Sequence, residues 1–249
     1  MDYPLIKPRY YRSLLKDIID FIAHPHNEPD LVKSARLKVY DTIGVYILKM
    51  MCLIPVLLFF AMVYDPVNVQ SANMAERFSP LVFLLVGGLI LPLVEEIAFR
   101  LSLIYKPIYL SLTFTALTYY FLTKAIYHTK ISAVDETFVT RVSIAVVIGI
   151  ILFAIQHLKS VEEVLASFWQ RHFRSIFYIS SLVFAWMHIS KYELVVLNIV
   201  LLPILTLPQL MSAIIYGYTR VKFGFQYPLV LHMVMNLIVI GLSLLPFAD

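Results

Sequence analysis

A single cysteine, Cys52, occurs in the 249 residues, so no intramolecular disulfide and no thiolate metal cluster can form. Charge is scarce too: Asp, Glu, Lys and Arg make up 14% of the chain, roughly half of what a soluble domain carries. That leaves too little polar surface for water to be the solvent. With 60% hydrophobic residues and a mean hydropathy of +0.81, the chain reads as an integral membrane protein. There is no β-barrel alternation and no internal repeat, so the expected fold is all-α. The first 40 residues lack a continuous apolar core and do not read as a signal peptide. No G-x-S-x-G is present, which removes the nucleophile elbow of the serine hydrolases, and Cys52 lies outside every polar motif. The net charge is +4, but the basic residues sit in loops between apolar runs. They suit anionic lipid and the cytoplasmic face rather than nucleic acid.

What is present is a series of apolar stretches. Residues 10–23 come first, with Leu14, Ile18 and Ile22 at helical spacing among Arg12, Lys16, Asp17 and Asp20, the pattern of an interfacial helix lying on the membrane. The segment HPHNEP (24–29) reads as a loop, with His24 and His26 as either solvated loop residues or metal ligands. Apolar spans follow near 42–63, 80–105, 108–126, 142–158, 175–189, 194–207, 208–219 and 228–247. The expected organisation is an N-terminal cytoplasmic or interfacial segment, 1–41, followed by a transmembrane domain, 42–249. That domain is a polytopic bundle of about eight helices around a polar cavity. Pro203 and Pro208 interrupt 194–219, which can be one kinked helix, two helices or a re-entrant hairpin. With the N-terminus inside, twelve Lys and Arg fall in cytoplasmic segments against seven outside. This predicts both termini in the cytoplasm, as for a multi-pass protein of a bacterial inner membrane. Arg220 and Lys222 run against the bias, and Lys49 is expected to snorkel.

The stretch LPLVEEIAFRL (91–101) breaks the pattern. Fourteen uncharged residues, Leu81 to Val94, lead into Glu95 and Glu96, with Arg100 four residues on. A charge at the centre of a spanning helix costs about 2.5–3.5 kcal/mol, so these groups need partners or water. Glu96 and Arg100 are i,i+4 and can pair on one helix face. Glu95 points about 100° away and has no partner in its own helix. A carboxyl held near a second carboxylate in an apolar span suits a general base. The alternative is that Arg100 marks the cytoplasmic helix end and both glutamates meet water there. Pro92 frees a backbone carbonyl nearby, and Gly87-Gly88 permits close helix packing.

Two further pairs lie on single helix faces: Phe184 with His188, and His232 with Asn236. A histidine in such a helix often bonds a neighbouring backbone carbonyl and nothing more. Taken together, however, a glutamate pair, two histidines and an asparagine on three helices can line a water-holding cavity. Glu with two His can activate water directly or through a metal, and Asn236 can donate to an oxyanion.

The order Glu95-Glu96-x-x-x-Arg100, Phe184-x-x-x-His188, His232-x-x-x-Asn236 resembles the CAAX protease and bacteriocin-processing (Abi) family of intramembrane glutamyl endopeptidases, over roughly residues 80–247. The resemblance implies about eight helices around a cavity and hydrolysis of a peptide bond. It implies Glu95 as general base, His188 as holder of the water, His232 and Asn236 as oxyanion donors, Glu96 and Arg100 as shapers of the site, and Phe184 as packing. It implies a peptide or membrane-protein substrate, lipidated or not, and no cofactor. The gap from Arg100 to Phe184 is longer than the family pattern and suggests an extra helical hairpin near 108–158. Two alternatives stay open: zinc on Glu95, His188 and His232, whose ligand types suit it, and a non-enzymatic immunity or transport scaffold.

Overall fold

The computed structural model describes residues 4–64, 66 and 69–245, and the regular structure among them is helical throughout. The helices are α1 (Pro8–Ala23), α2 (Ala35–Met62), α3 (Val69–Arg77), α4 (Pro80–Leu103), α5 (Pro107–Phe121), α6 (Phe138–Gln156), α7 (Lys159–Met187), α8 (Val196–Val200), α9 (Leu202–Leu205), α10 (Leu207–Phe223) and α11 (Gln226–Ser243). Four of them, α2, α4, α6 and α11, are long and apolar enough to cross a bilayer. The outer end of the expected span 228–247 lies outside the described residues. The chain forms two compact units, Met1–Phe83 with Arg174–Leu231, and Leu84–Phe173 with His232–Asp249.

In the first unit α1 opens on Pro8, whose fixed φ suits a first helical turn. Its buried side chains are Leu14, Ile18 and Phe21, so Phe21 rather than Ile22 completes the apolar stripe. Phe21 stands edge-on to Phe177 at 5.3 Å and to Tyr218 at 5.2 Å. The helix expected to lie on the membrane therefore docks its apolar face on protein. Against α2 the approach is close: a Cβ on Gly44 would stand 2.8 Å from Leu14 Cδ2. Asp41, at the start of α2 and buried, accepts from Tyr10 Oη (2.7 Å) and pairs with Lys33 Nζ (2.8 Å).

Lys49 does not snorkel. It is buried, donates to Ser212 Oγ at 3.1 Å and lies over the Tyr46 ring at 4.6 Å. A hydroxyl and an aromatic face inside the bundle hold the ammonium in place of water. This contact runs α2 antiparallel to α10, and Gly224, with φ +119°, ends α10 in a conformation other residues rarely adopt. At that end Asp30 N–H donates to the Lys222 carbonyl (2.9 Å), and Lys222 Nζ donates to His26 Nε2 (2.7 Å). His26 Nδ1 donates to the His24 carbonyl, so both His26 nitrogens are engaged and the metal-ligand reading of this loop has no support. Residues 26–41 and the end of α10 thus share one end of this unit. In 194–207 the helix breaks at Leu201 and Thr206, and Pro203 and Pro208 open the next helices rather than kink one. At five and four residues, α8 and α9 are too short to cross a bilayer.

In the second unit α5 and α6 form the hairpin expected near 108–158. A Cβ on Gly149 would overlap the Thr115 hydroxyl, so glycine sets the closest approach of the two helices. Gln156 Nε2 donates to Ser111 Oγ at 3.0 Å. The connecting loop is held by Arg141, which is 0% exposed. Arg141 reaches Asp135 Oδ1 (3.0 Å), the Ala133 carbonyl (3.0 Å), Thr123 Oγ1 (2.9 Å) and Thr137 Oγ1 (3.0 Å). The Thr137 hydroxyl first, then Thr129 and Arg141, lower the pKa of Asp135 to about 2. The chain passes between units at the middle of α7, where His172 is non-helical (φ −108°, ψ 15°). The expected span 175–189 is the half that follows this break. The half before it carries Lys159, Glu162 and Arg171 and is anchored by Trp169 Nε1, which donates to the Ser102 carbonyl at 2.6 Å.

Candidate active site

Four motif residues meet in the second unit through the antiparallel packing of α4 and α11. Glycine makes that packing possible, since a Cβ on Gly88 would stand 3.0 Å from Leu237 Cγ. Before Glu95, α4 contains a π-helical turn, Val86–Ile90, in which Leu91 N–H donates to the Val86 carbonyl. In that i→i−5 register the next donor would serve Gly87, but residue 92 is proline and has no N–H. Asn236 Nδ2 donates to the Gly87 carbonyl instead, at 3.1 Å. The carbonyl freed by Pro92 is therefore satisfied from α11, and this bond sets the register of His232, one turn earlier. One Asn236 hydrogen is committed to the backbone; an amide has a second.

Glu96 is 0% exposed and Arg100 2%. The expected i,i+4 pair forms, with Arg100 Nη1 3.3 Å from Glu96 Oε1. The same oxygen accepts from His232 Nδ1 at 2.9 Å. Across the ring, His232 Nε2 lies 3.7 Å from Glu95 Oε2. The imidazole thus stands between the two carboxylates, bonded to the buried one and just beyond hydrogen-bond distance from the other. Glu95 retains 21% side-chain exposure. Its partner, absent from its own helix, comes from α11.

This arrangement gives the two glutamates different work. Glu96, paired with Arg100, holds the proton on Nδ1 and orients the ring. Glu95 is the more open carboxylate and faces that nitrogen. The sequence contained the residues of this triad but not the Glu96–His232 bond, which depends on how α4 and α11 pack. Tyr120 was also missed. Its ring stands edge-on to Phe99 at 6.4 Å, within electrostatic reach of Glu95 and Arg100, and nothing in an apolar span distinguishes one tyrosine from another.

Phe184 and His188 belong to the first unit. His188 Nδ1 donates to the Phe184 carbonyl at 2.7 Å, and the two rings lie 4.6 Å apart. The backbone bond expected of a membrane histidine is present. It fixes the tautomer and makes Nε2 the acceptor nitrogen of the neutral ring. Among the described residues no three His, Cys, Asp or Glu side chains are grouped to hold a metal ion. No known family model, curated protein or solved structure matches this chain.

Proposed function

We propose that the chain is an intramembrane endopeptidase that hydrolyses a peptide bond with water activated by Glu95. The observation that carries this reading is the His232 ring, held on Glu96 at 2.9 Å with its other nitrogen 3.7 Å from Glu95. Glu95 takes the proton of the attacking water. His232, oriented and electrostatically supported by Glu96, donates from Nε2 to the developing oxyanion or the leaving amine once that nitrogen is protonated. Asn236 supplies its second amide hydrogen to the same oxyanion. The substrate is a peptide or membrane protein, lipidated or not.

Purified wild type and Glu95→Gln, in detergent, are offered prenylated and unmodified peptides with and without chelator, and products are read by mass spectrometry. Products from wild type alone, indifferent to chelator, support the glutamyl mechanism. Chelator-sensitive products move it to zinc. Wild-type-like cleavage by Glu95→Gln overturns the role of Glu95. A cellular immunity or transport phenotype that survives Glu95→Gln favours the scaffold reading.

Contacts within each unit support a seven-crossing membrane topology. In the first, Lys222 meets His26 and Asp30, so the end of α10 lies on the side of residues 26–41. In the second, His232 near the start of α11 meets Glu96 near the end of α4. Both support a 224–225 loop on the cytoplasmic side, with α8 and α9 not crossing, seven crossings in all and the C-terminus outside. Moving Arg220 and Lys222 inside changes the Lys and Arg division from twelve against seven to fourteen against five, which strengthens the charge bias.

A further inference from the structure

A cleft of about 440 Å³ lies in the second unit between α4, α5, α6 and the 127–137 loop. Ile90, Val94 and Ile97 of α4, Ala116 of α5, Ala145 of α6 and Val134 of the loop form much of its wall. Only Thr115, Tyr119 and Ser132 bring polar side-chain atoms. The Thr115 hydroxyl donates to the Ser111 carbonyl (2.9 Å) and the Tyr119 hydroxyl to the Ile131 carbonyl (2.8 Å). A cleft with the Thr115 and Tyr119 hydroxyls spent in this way offers water little, and apolar cavities take apolar ligands. Benzene fits a cavity of roughly 150 Å³, so this volume suits a chain on the order of eighteen carbons. Two walls, α4 and α6, are candidate membrane spans, so the solvent at the opening is lipid.

The loop end of the cleft is cationic. Thr129 N–H donates to the Thr123 carbonyl at 2.9 Å, and Lys124 and Lys130 lie within electrostatic reach of one another. Both are exposed, and Lys130 directly precedes the lining residue Ile131. Of the two loop acids, Asp135 is taken up by Arg141, Thr129 and Thr137, and Glu136 is exposed. We propose that this cleft binds one acyl chain of an anionic phospholipid, with Lys124 and Lys130 at its phosphate. Val94 and Ile97 line the cleft and bracket Glu95 and Glu96 in sequence, so an occupying chain buttresses the helix that carries the candidate active site. The proposal does not depend on what that site does.

The test uses the full chain in detergent micelles with photoreactive phosphatidylglycerol, photoreactive phosphatidylcholine or a photoreactive geranylgeranyl probe, and maps adducts by mass spectrometry. Phosphatidylglycerol is expected to label 90–97 and 131–146 preferentially. Ala116→Phe with Ala145→Phe, filling the cleft, is expected to abolish that label. Lys124→Gln with Lys130→Gln is expected to lower the preference over phosphatidylcholine on the order of tenfold. Ala145 is buried, so Val134→Glu, at a position 82% exposed, places a charge in the cleft with little risk to folding and is expected to suppress the label as well. Each variant is checked by thermal unfolding. Label that persists in folded cleft variants, or that falls on the outer α6 residues Val147 and Ile150, overturns the proposal. So does preferential labelling by the isoprenoid probe, which reassigns the cleft to prenyl groups.

Discussion

Replacing Glu96 by glutamine separates the two glutamates experimentally. The substitution keeps the shape of the side chain and removes its charge, leaving the Arg100 guanidinium buried at 2% exposure. At the observed 3.3 Å separation, an effective dielectric near 20 gives an attraction of about 5 kcal/mol. Removing one partner of a buried pair costs about 3–5 kcal/mol in practice, because the remaining charge is uncompensated. At roughly 2–4 °C per kcal/mol for a chain of this length, Tm should fall by on the order of 10 °C. Glu95→Gln is the control. Glu95 is 21% exposed and lies 3.7 Å from His232 Nε2, so water screens its interaction and its loss should cost less than about 1 kcal/mol. Thermal unfolding in detergent, followed by circular dichroism, reads both variants. The expected pattern is a large Tm loss for Glu96→Gln and near-wild-type Tm with no cleavage for Glu95→Gln. Equal Tm values for the two variants would refute the division of structural and chemical work between them.

Further outcomes are expected. Gly88→Leu should cost about 1–3 kcal/mol by overpacking against Leu237, and Gly88→Leu with Leu237→Ala should recover part of it, as read by the same unfolding assay. Asp135 has its carboxyl pKa lowered to about 2, so its stabilisation of the 127–137 loop is present above the unfolded pKa of about 3.9 and lost as pH falls toward 2. Proteolysis of that loop by pepsin should therefore rise across this interval in wild type, whereas Asp135→Asn should be susceptible already at pH 4; identical profiles would remove Asp135 from the lock. A cysteine placed after residue 243 in a Cys52→Ser background should react with a membrane-impermeant maleimide from outside whole cells, and one at the exposed residue 226 only after permeabilisation. The reverse pattern would restore the eight-crossing topology.

The sequence alone settled the solvent and the secondary structure. With 14% charged residues, an apolar chain must satisfy its backbone within helices, and the spans near 42–63, 80–105, 108–126 and 142–158 each fall on a helix. The i,i+4 partnership of Glu96 and Arg100 was also legible, because residues four apart share a helix face whatever surrounds them. So was the carbonyl that Pro92 frees. Contacts between helices were not legible. Whether His232 meets Glu95, Glu96 or neither depends on the relative direction and axial register of α4 and α11, which Gly88, Leu237 and the Asn236–Gly87 bond fix. Lys49 illustrates the same limit: its position in an apolar run suggested snorkelling, and only Ser212 and Tyr46 explain why it stays inside. Hydropathy counts 194–207 as a crossing, whereas breaks at Leu201 and Thr206 divide it into short helices. Local periodicity is written in the chain one turn at a time. The pairing of distant helices arises from side-chain volumes and single polar contacts that exist only once the helices have packed.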